Sequence, residues 1–273
     1  MAVRMDDLKE FARAGEAAVR EAGRYLRENL GRVAETTYKG AVDLVTPFDV
    51  GAQDILVGRL SSAFPSHGFL AEEGLERSGT SDCRWVIDPL DGTTNFAHAF
   101  PVFCVSAALD CSGRLALGFV YDPVRDEMFR AEAGNGAWLN GAAIRVSGVR
   151  DLGRSLLATG FPYDVRLSPE NNLDHWARFI VRAQAIRRCG SAALDLAYVA
   201  CGRFDGFWEL KLKPWDVAAG ALLVKEAGGR VTDFAGQAFA LGSPGVVATN
   251  GLIHPAVVEV LNMPGIKEAG DDR

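Results

Sequence analysis

Residues 85–96 read WVIDPLDGTTNF, an apolar run that stops at two aspartates, with a proline between them and a small, hydroxyl-rich stretch behind. An apolar run of this kind is a buried strand, and a buried strand that ends in acids must hand them to solvent, to a partner or to cations. Pro89 pushes Asp88 toward extended backbone and then turns the chain, so Asp88 is expected to finish its strand with Asp91 close beside it. With the Leu90 carbonyl, that makes three hard oxygen donors in four residues, the ligand type Mg²⁺ prefers. Gly92, Thr93 and Thr94 read as the first turn of a helix, whose unpaired amides hold a phosphate. Taken alone, a DxxD is also what a helix cap beside a solvent-facing acid looks like.

Two further acidic sites bear on that choice. FLAEEG ends another predicted strand in Glu72 and Glu73, and KPWDVAAG starts a helix with Asp216 behind Trp215. Strand ends and helix starts are where layered folds carry their sites. Glu72, Asp88, Asp91 and Asp216 brought together would repel one another unless cations sat among them. Two or more Mg²⁺ ions would supply that charge, activate a water and stabilise a leaving oxygen.

The rest of the 273 residues sets bounds on class. With 48% hydrophobic residues the chain buries a sizeable core, and a net charge of -6 argues against a nucleic-acid surface. Cys83, Cys104, Cys111, Cys189 and Cys201 are odd in number and form no CxxC, which suits free thiols in a reducing compartment. No apolar run approaches the ~18 residues of a membrane span, and the mixed-charge start lacks a signal-peptide core. The expected location is the cytoplasm.

Periodicity predicts a helix from Leu8 to Leu30 stopping at Gly31, and a second after Pro47 with Ile55, Leu56, Leu60, Ala63 and Phe64 on its apolar side. GFLA (68–71), RWVI (84–87), VFCVSAALD (102–110) and RLALGFVYD (114–122) read as strands of a meander, and Asn140-Gly141 marks a hairpin. The second half reads as SLLATGFP, a helix over 168–184, a helix from Ser191 to Ala200, the strand FDGFWEL, a helix over 216–227, the strand GVVATN and a last helix from about 255, with a loose tail beyond Pro264. The order implies stacked layers of helices and sheets in a single domain, with a metal-site half over about 1–150 and a second half over about 151–264.

Other phosphoryl-transfer signatures are absent. There is no P-loop, no cysteine followed six positions later by arginine, and DPLDGT holds one residue too many for the DxDGT pattern. The four histidines have no metal-ligand spacing. Arg187 and Arg188 read as a solvated basic pair, Lys213 is balanced between pocket and surface, and Glu73 reads as a surface or supporting residue.

WVIDPLDGTTNFAH resembles the first signature of the inositol monophosphatase family, and WDVAAGALLVKEAGG its second. AEEG, VDLVTPFD and RCGSAALDLAYVACGRFDGFWE follow the same family's order, so the resemblance covers most of residues 35–230. It implies an αβαβα sandwich of the inositol monophosphatase/fructose-bisphosphatase type, a homodimer, and lithium-sensitive hydrolysis of small phosphate monoesters by water activated at two or three Mg²⁺ ions. By resemblance, Glu72, Asp88, the Leu90 carbonyl, Asp91 and Asp216 match metal ligands, and Asp49 and Thr93 match the pair that orients the attacking water. Gly92 and Thr93 match the phosphate cradle, where Asp91 and Asp216 also touch substrate. Lys39 matches a lysine near the site, and Ser191, Ala192 and Glu209 match the wall facing the alcohol. The implied substrate is myo-inositol 1-phosphate. Histidinol phosphate, sugar bisphosphates and phosphoadenosine nucleotides remain alternatives, as does a regulator on this fold that binds RNA or transcription machinery.

Overall fold

The helical spacing from Leu8 forms α1 (Met5–Asn29), and the chain leaves it through Gly31 at φ 81°, a left-handed position that suits glycine. The computed structural model describes residues 5–32, 37–38 and 44–264. Its first half continues with β1 (Thr37–Tyr38), β2 (Leu44–Val45), α2 (Pro47–Ala63), β3 (Gly68–Ala71), β4 (Glu76–Arg77), β5 (Cys83–Asp91) and α3 (Thr93–Ala97). It then runs through β6 (Cys104–Cys111), β7 (Arg114–Asp122), β8 (Glu127–Glu132), β9 (Gly136–Leu139) and β10 (Ala142–Ala143). The second half holds β11 (Leu156–Thr159), α4 (Leu173–Ile180), β12 (Ala185–Arg187), α5 (Ala192–Ala200) and β13 (Gly206–Leu210). It closes with α6 (Pro214–Glu226), β14 (Arg230–Thr232), β15 (Gly245–Thr249) and α7 (His254–Leu261). The predicted tail from 265 lies outside the described residues.

Strand alternation builds the layers. In β5, Trp85 and Ile87 face α1 and α2 while Val86 faces α5 and α6; in β6, Val105, Ala107 and Leu109 join the first cluster and Cys104 and Ala108 the second. The eight-stranded sheet, in the order β10-β9-β8-β7-β6-β5-β3-β4, is thus covered on both sides. The five-stranded sheet, β12-β11-β13-β15-β14, repeats the device: Phe207 packs on the α5–α6 layer and Trp208 on α4 and α7. The result is the αβαβα sandwich, and its middle layer draws residues from both halves of the chain into one core.

Several sequence expectations need correction. β3 is parallel to β5, so only β5 onward is a meander. The helix expected over 168–184 shrinks to α4 because Asn172, at φ 72°, is committed elsewhere: its Nδ2 donates to Thr159 Oγ1 and the Gly160 carbonyl, and its Oδ1 accepts from Trp208 Nε1. Ala63 is exposed rather than packed. Strands β8, β12 and β14 carry no pattern strong enough to have been read. The five cysteines are not all free, since Cys83 and Cys111 face each other across β5 and β6 with Cα atoms 4.1 Å apart and are joined in a disulfide. The partners are 28 positions apart, a pairing that only strand register reveals.

The middle helices approach the sheet closely. A Cβ on Gly118 of β7 would lie 2.9 Å from the Ala219 carbonyl oxygen and 3.1 Å from its Cα, so two backbones meet there. Gly118→Ala should therefore push α6 outward and cost about 1–3 kcal/mol, the usual range for overpacking. A urea-unfolding midpoint equal to wild type would show that α6 shifts freely.

Candidate active site

The bulge in β5 brings the two aspartates to one side. Register runs Asp88 to Ser106 and Asp91 to Cys104, so β5 carries one residue more than β6 across that interval. In a regular strand, residues three apart point to opposite faces; the extra residue restores the phase. The expectation that Asp88 ends its strand is corrected accordingly. Pro89 has no N–H to offer a ladder, and the Leu90 N–H turns back to Asp88 Oδ1 at 3.0 Å.

Both aspartates open into a cavity of about 420 Å³ between the two sheets, together with Glu72, Leu90, Gly92, Thr93, Ser191, Ala192, Glu209 and Asp216. Each comes from an element end: Glu72 follows β3, Ser191 caps α5, Glu209 is on β13 and Asp216 opens α6. Asp91 Oδ2 accepts from Ser191 Oγ and the Ala193 N–H, both at 2.7 Å. Asp216 Oδ2 accepts the Lys213 N–H at 2.7 Å. The acids are thus aimed by backbone amides and a hydroxyl. Lys39 lies outside the described residues.

Burial raises the pKa of Asp88 well above its ordinary value, and Glu72, Asp91 and Asp216 raise it further by repulsion. Asp216 is raised for the same two reasons, and Asp91 is raised by burial against the pull of Ser191 and the α5 amides. Asp88 and Glu72 stand close enough to share a hydrogen bond, which two carboxylates make only by sharing a proton. Among the described residues no ion pair joins Asp88, Asp91 or Asp216 to a lysine or arginine. Nor do three acid, histidine or cysteine side chains there close into a ready-made cage. Hard oxygens crowded in this way fit Mg²⁺ bound by a few carboxylates and a carbonyl, with water completing the shell.

Asp49 stands behind Thr93 rather than in the cavity wall. Its Oδ2 accepts from the Thr46 N–H at 2.7 Å and Thr46 Oγ1 at 2.6 Å, closing a capping box at the start of α2. Its Oδ1 lies 3.0 Å from Thr93 Oγ1, which is also 3.0 Å from the Leu90 carbonyl oxygen. One hydroxyl proton serves one of these acceptors at a time. Burial raises Asp49 too, although three hydrogen bonds oppose it. Gly92, at φ 101°, leads into α3, and a Cβ there would meet the Val102 carbonyl oxygen at 3.0 Å. The first amides of α3 have no intrahelical acceptor.

Another part of the cavity wall is organised around Glu209, within electrostatic reach of Asp91 and Asp216. Its carboxyl lies over Gly160, whose absent Cβ would sit 2.2 Å from Oε1, and it has no protein hydrogen-bond donor among the described residues. Burial and the charge of Asp195 push Glu209 to about 8. Asp195 also lines this part, with an unpaired buried Oδ1. It lies inside RCGSAALDLAYVACGRFDGFWE but was given no role there, because an acid in the first turn of a helix reads as an ordinary N-terminal charge. Arg188 lines the rim while Arg187 points away from the cavity, so the basic pair divides; Lys211 and Lys213 line the rim as well. Glu73 supports from behind, its backbone exchanging both amide contacts with the Gln53 side chain.

These raised acids bind protons more tightly folded than unfolded. The metal-free protein should therefore lose stability as pH climbs from the ordinary carboxylate range, about 4, toward about 8, the value for Glu209. Millimolar Mg²⁺ should raise Tm, and more at pH 8 than at pH 6, because cation and proton compete for the same oxygens. Thermal melts after chelator treatment check this; no shift, or equal shifts, would deny the cluster a cation role.

Residues 7–263 match the model of the inositol monophosphatase family. The chain is 43% identical over 250 residues to the inositol-1-monophosphatase of Mesorhizobium japonicum, covering 90% of this chain and 94% of that protein. It is 48% identical over 242 residues to the Nus factor SuhB of Pseudomonas aeruginosa, covering 85% and 89%. The solved inositol monophosphatase of Anabaena superposes with a TM-score of 0.87 at 40% identity, covering 95% of this chain and 98% of that one. A bulged strand that aims two aspartates, an α6 that brings a third, and this likeness over nearly the whole length together show that the chain belongs to the inositol monophosphatase family, a family of phosphatases.

Proposed function

We propose that the protein hydrolyses a small phosphate monoester, myo-inositol 1-phosphate being the favoured substrate, with Mg²⁺ as cofactor and lithium as an inhibitor. The observation that carries this reading is the cavity itself, whose wall joins the crowded carboxylates Glu72, Asp88, Asp91 and Asp216 to Asp195 and Glu209. Glu72, Asp88, the Leu90 carbonyl, Asp91 and Asp216 would hold two or three Mg²⁺ ions, which when bound supply charge neutralisation and an activated water. Thr93, backed by Asp49, accepts a hydrogen bond from the attacking water and holds it in line with the phosphorus. Amides of Gly92 and Thr93 receive phosphate oxygens. Ser191 keeps Asp91 aimed, Ala192 leaves room, and Glu209 binds hydroxyls of the alcohol. Lys39 is assigned to the phosphate side by resemblance alone.

Recognition and cleavage separate by mutation. Asp91→Asn should lose most of kcat, since an amide keeps the shape and removes the charge. Glu209→Ala deletes the carboxyl in either protonation state. It should weaken kcat/KM on inositol 1-phosphate by about 1–3 kcal/mol, and leave a simple aryl phosphate almost unaffected. Equal losses on both substrates would make Glu209 part of the phosphate-cleaving end; full activity of Asp91→Asn, or full turnover in excess chelator, would sink the mechanism.

We also propose a homodimer. Leu173, Trp176 and Ile180 make a stripe at helical spacing on the outer face of α4, continued by Val181 at 72% exposure. Light scattering should give twice the chain mass, and Trp176→Glu should shift it toward the monomer; a monomeric wild type would end this reading. The favoured compartment is the cytoplasm. Among the described residues no helix is long and apolar enough to cross a membrane.

Relatives named Nus factor are as similar to this chain as the named phosphatase, which favours a second, regulatory role alongside catalysis. The net charge of -6 makes RNA a poor direct ligand for it. Retarded migration of labelled RNA at low salt, in wild type and Asp91→Asn alike, would establish binding independent of the reaction; free RNA in both would leave proteins as the partner class.

A further inference from the structure

One lysine clasps the wall of the cavity's alcohol end. The segment 160–172 joins β11 to α4, and its residues Phe161 to Asp164 line the cavity next to Gly160, over which Glu209 lies. Lys211, just beyond β13, sends Nζ across to Asp164 Oδ2 at 2.7 Å and to Ser168 Oγ at 2.9 Å. Those two residues are the ends of a single helical turn, closed by the Ser168 N–H on the Asp164 carbonyl at 2.9 Å. One ammonium therefore grips both ends of the turn. Lys211 is itself anchored by its N–H on the Pro244 carbonyl at 2.8 Å.

The backbone at Lys211 makes the contact more than a chance surface pair. Its φ is 60°, in the left-handed region where glycine is at ease and a long side chain is strained. A lysine kept there against local preference, with its charge spent on the wall segment, points to a role in the site. Glu209, two residues earlier on the same chain stretch, belongs to the same end of the cavity.

Resting on the phosphatase reading above, we propose that Lys211 is a positioning residue that latches the 160–172 segment across the alcohol end and so excludes leaving groups larger than a single polyol ring. An exposed ion pair with one added hydrogen bond shifts a closed–open balance by no more than about fivefold, so the effect is one of selectivity rather than of turnover. Lys211→Met keeps the length and the strain but removes the charge. It should lower the ratio of kcat/KM for inositol 1-phosphate over adenosine monophosphate by about three- to fivefold, chiefly through KM. Lys211→Arg, which can still reach Asp164, should restore the wild-type ratio. In parallel, amide hydrogen exchange across 161–171 should quicken about three- to fivefold in Lys211→Met with other segments unchanged. A substrate ratio that stays the same, or a Lys211→Arg variant that behaves like Lys211→Met, would overturn the selectivity role. Unchanged exchange would overturn the latch itself. Should the wild type hydrolyse neither ester, the phosphatase reading falls, and the exchange measurement alone still decides whether the latch exists.

Discussion

Mutual repulsion among buried acids is the constraint to which the rest of the structure answers. Glu72, Asp88, Asp91 and Asp216 share one cavity, and Asp88 is raised by all three of the others as well as by burial. Such a group is stable only if each carboxyl is protonated or if cations enter, and at neutral pH the second course leaves the anions intact. The protein has organised its secondary structure around that cost. Leu90 N–H donates to Asp88, Lys213 N–H to Asp216, and Ala193 N–H and the Ser191 hydroxyl to one oxygen of Asp91, which partly offsets desolvation and fixes the direction of what remains.

The sandwich supplies the rigidity this needs. The bulge at Pro89–Leu90 re-phases β5, while α5 and α6, wedged between the sheets, bring Ser191 and Asp216 to the same point. Close backbone approaches at Gly118 and at Gly220, whose Cβ would meet the Leu196 side chain at 2.5 Å, leave the helices little room to slide. Thr93 is pinned to Asp49, and Asp49 to the cap of α2, so the outer helical layer reaches the site through three side chains in series. The carboxylate end of the cavity is therefore built on strands and helix starts. The alcohol end rests partly on the longer segment 160–172, held at its end by the buried Asn172 bonds to Gly160 and Trp208 and at the rim by Lys211.

Much of this was legible in the residues. WVIDPLDGTTNF and KPWDVAAG announced acids at element ends, the periodicities located α1, α2, α5, α6 and α7, and Asn140-Gly141 marked a hairpin whose two residues adopt positive φ as its type requires. The bulge was not legible, because a proline after an apolar run signals a strand end and a strand kink in the same way. The short strands β12 and β14 have too few residues to show a period. Asp195 and Arg188 lie inside RCGSAALDLAYVACGRFDGFWE but were given no place in the site, because their position in the cavity wall depends on how α5 meets β13.

The sequence by itself determined the chemistry available: which residues are acids, which can cap helices, and which runs must be buried. These are local properties, set by side-chain type and by spacings of two or three to four residues. Only the tertiary structure decided that four acids from three separate elements meet, that Cys83 faces Cys111 across 28 residues, and that Lys211 closes on Asp164. Those are matters of strand register and layer packing. Contacts between distant segments are chosen by the burial of whole faces, a sum over the entire core that no single stretch of residues contains.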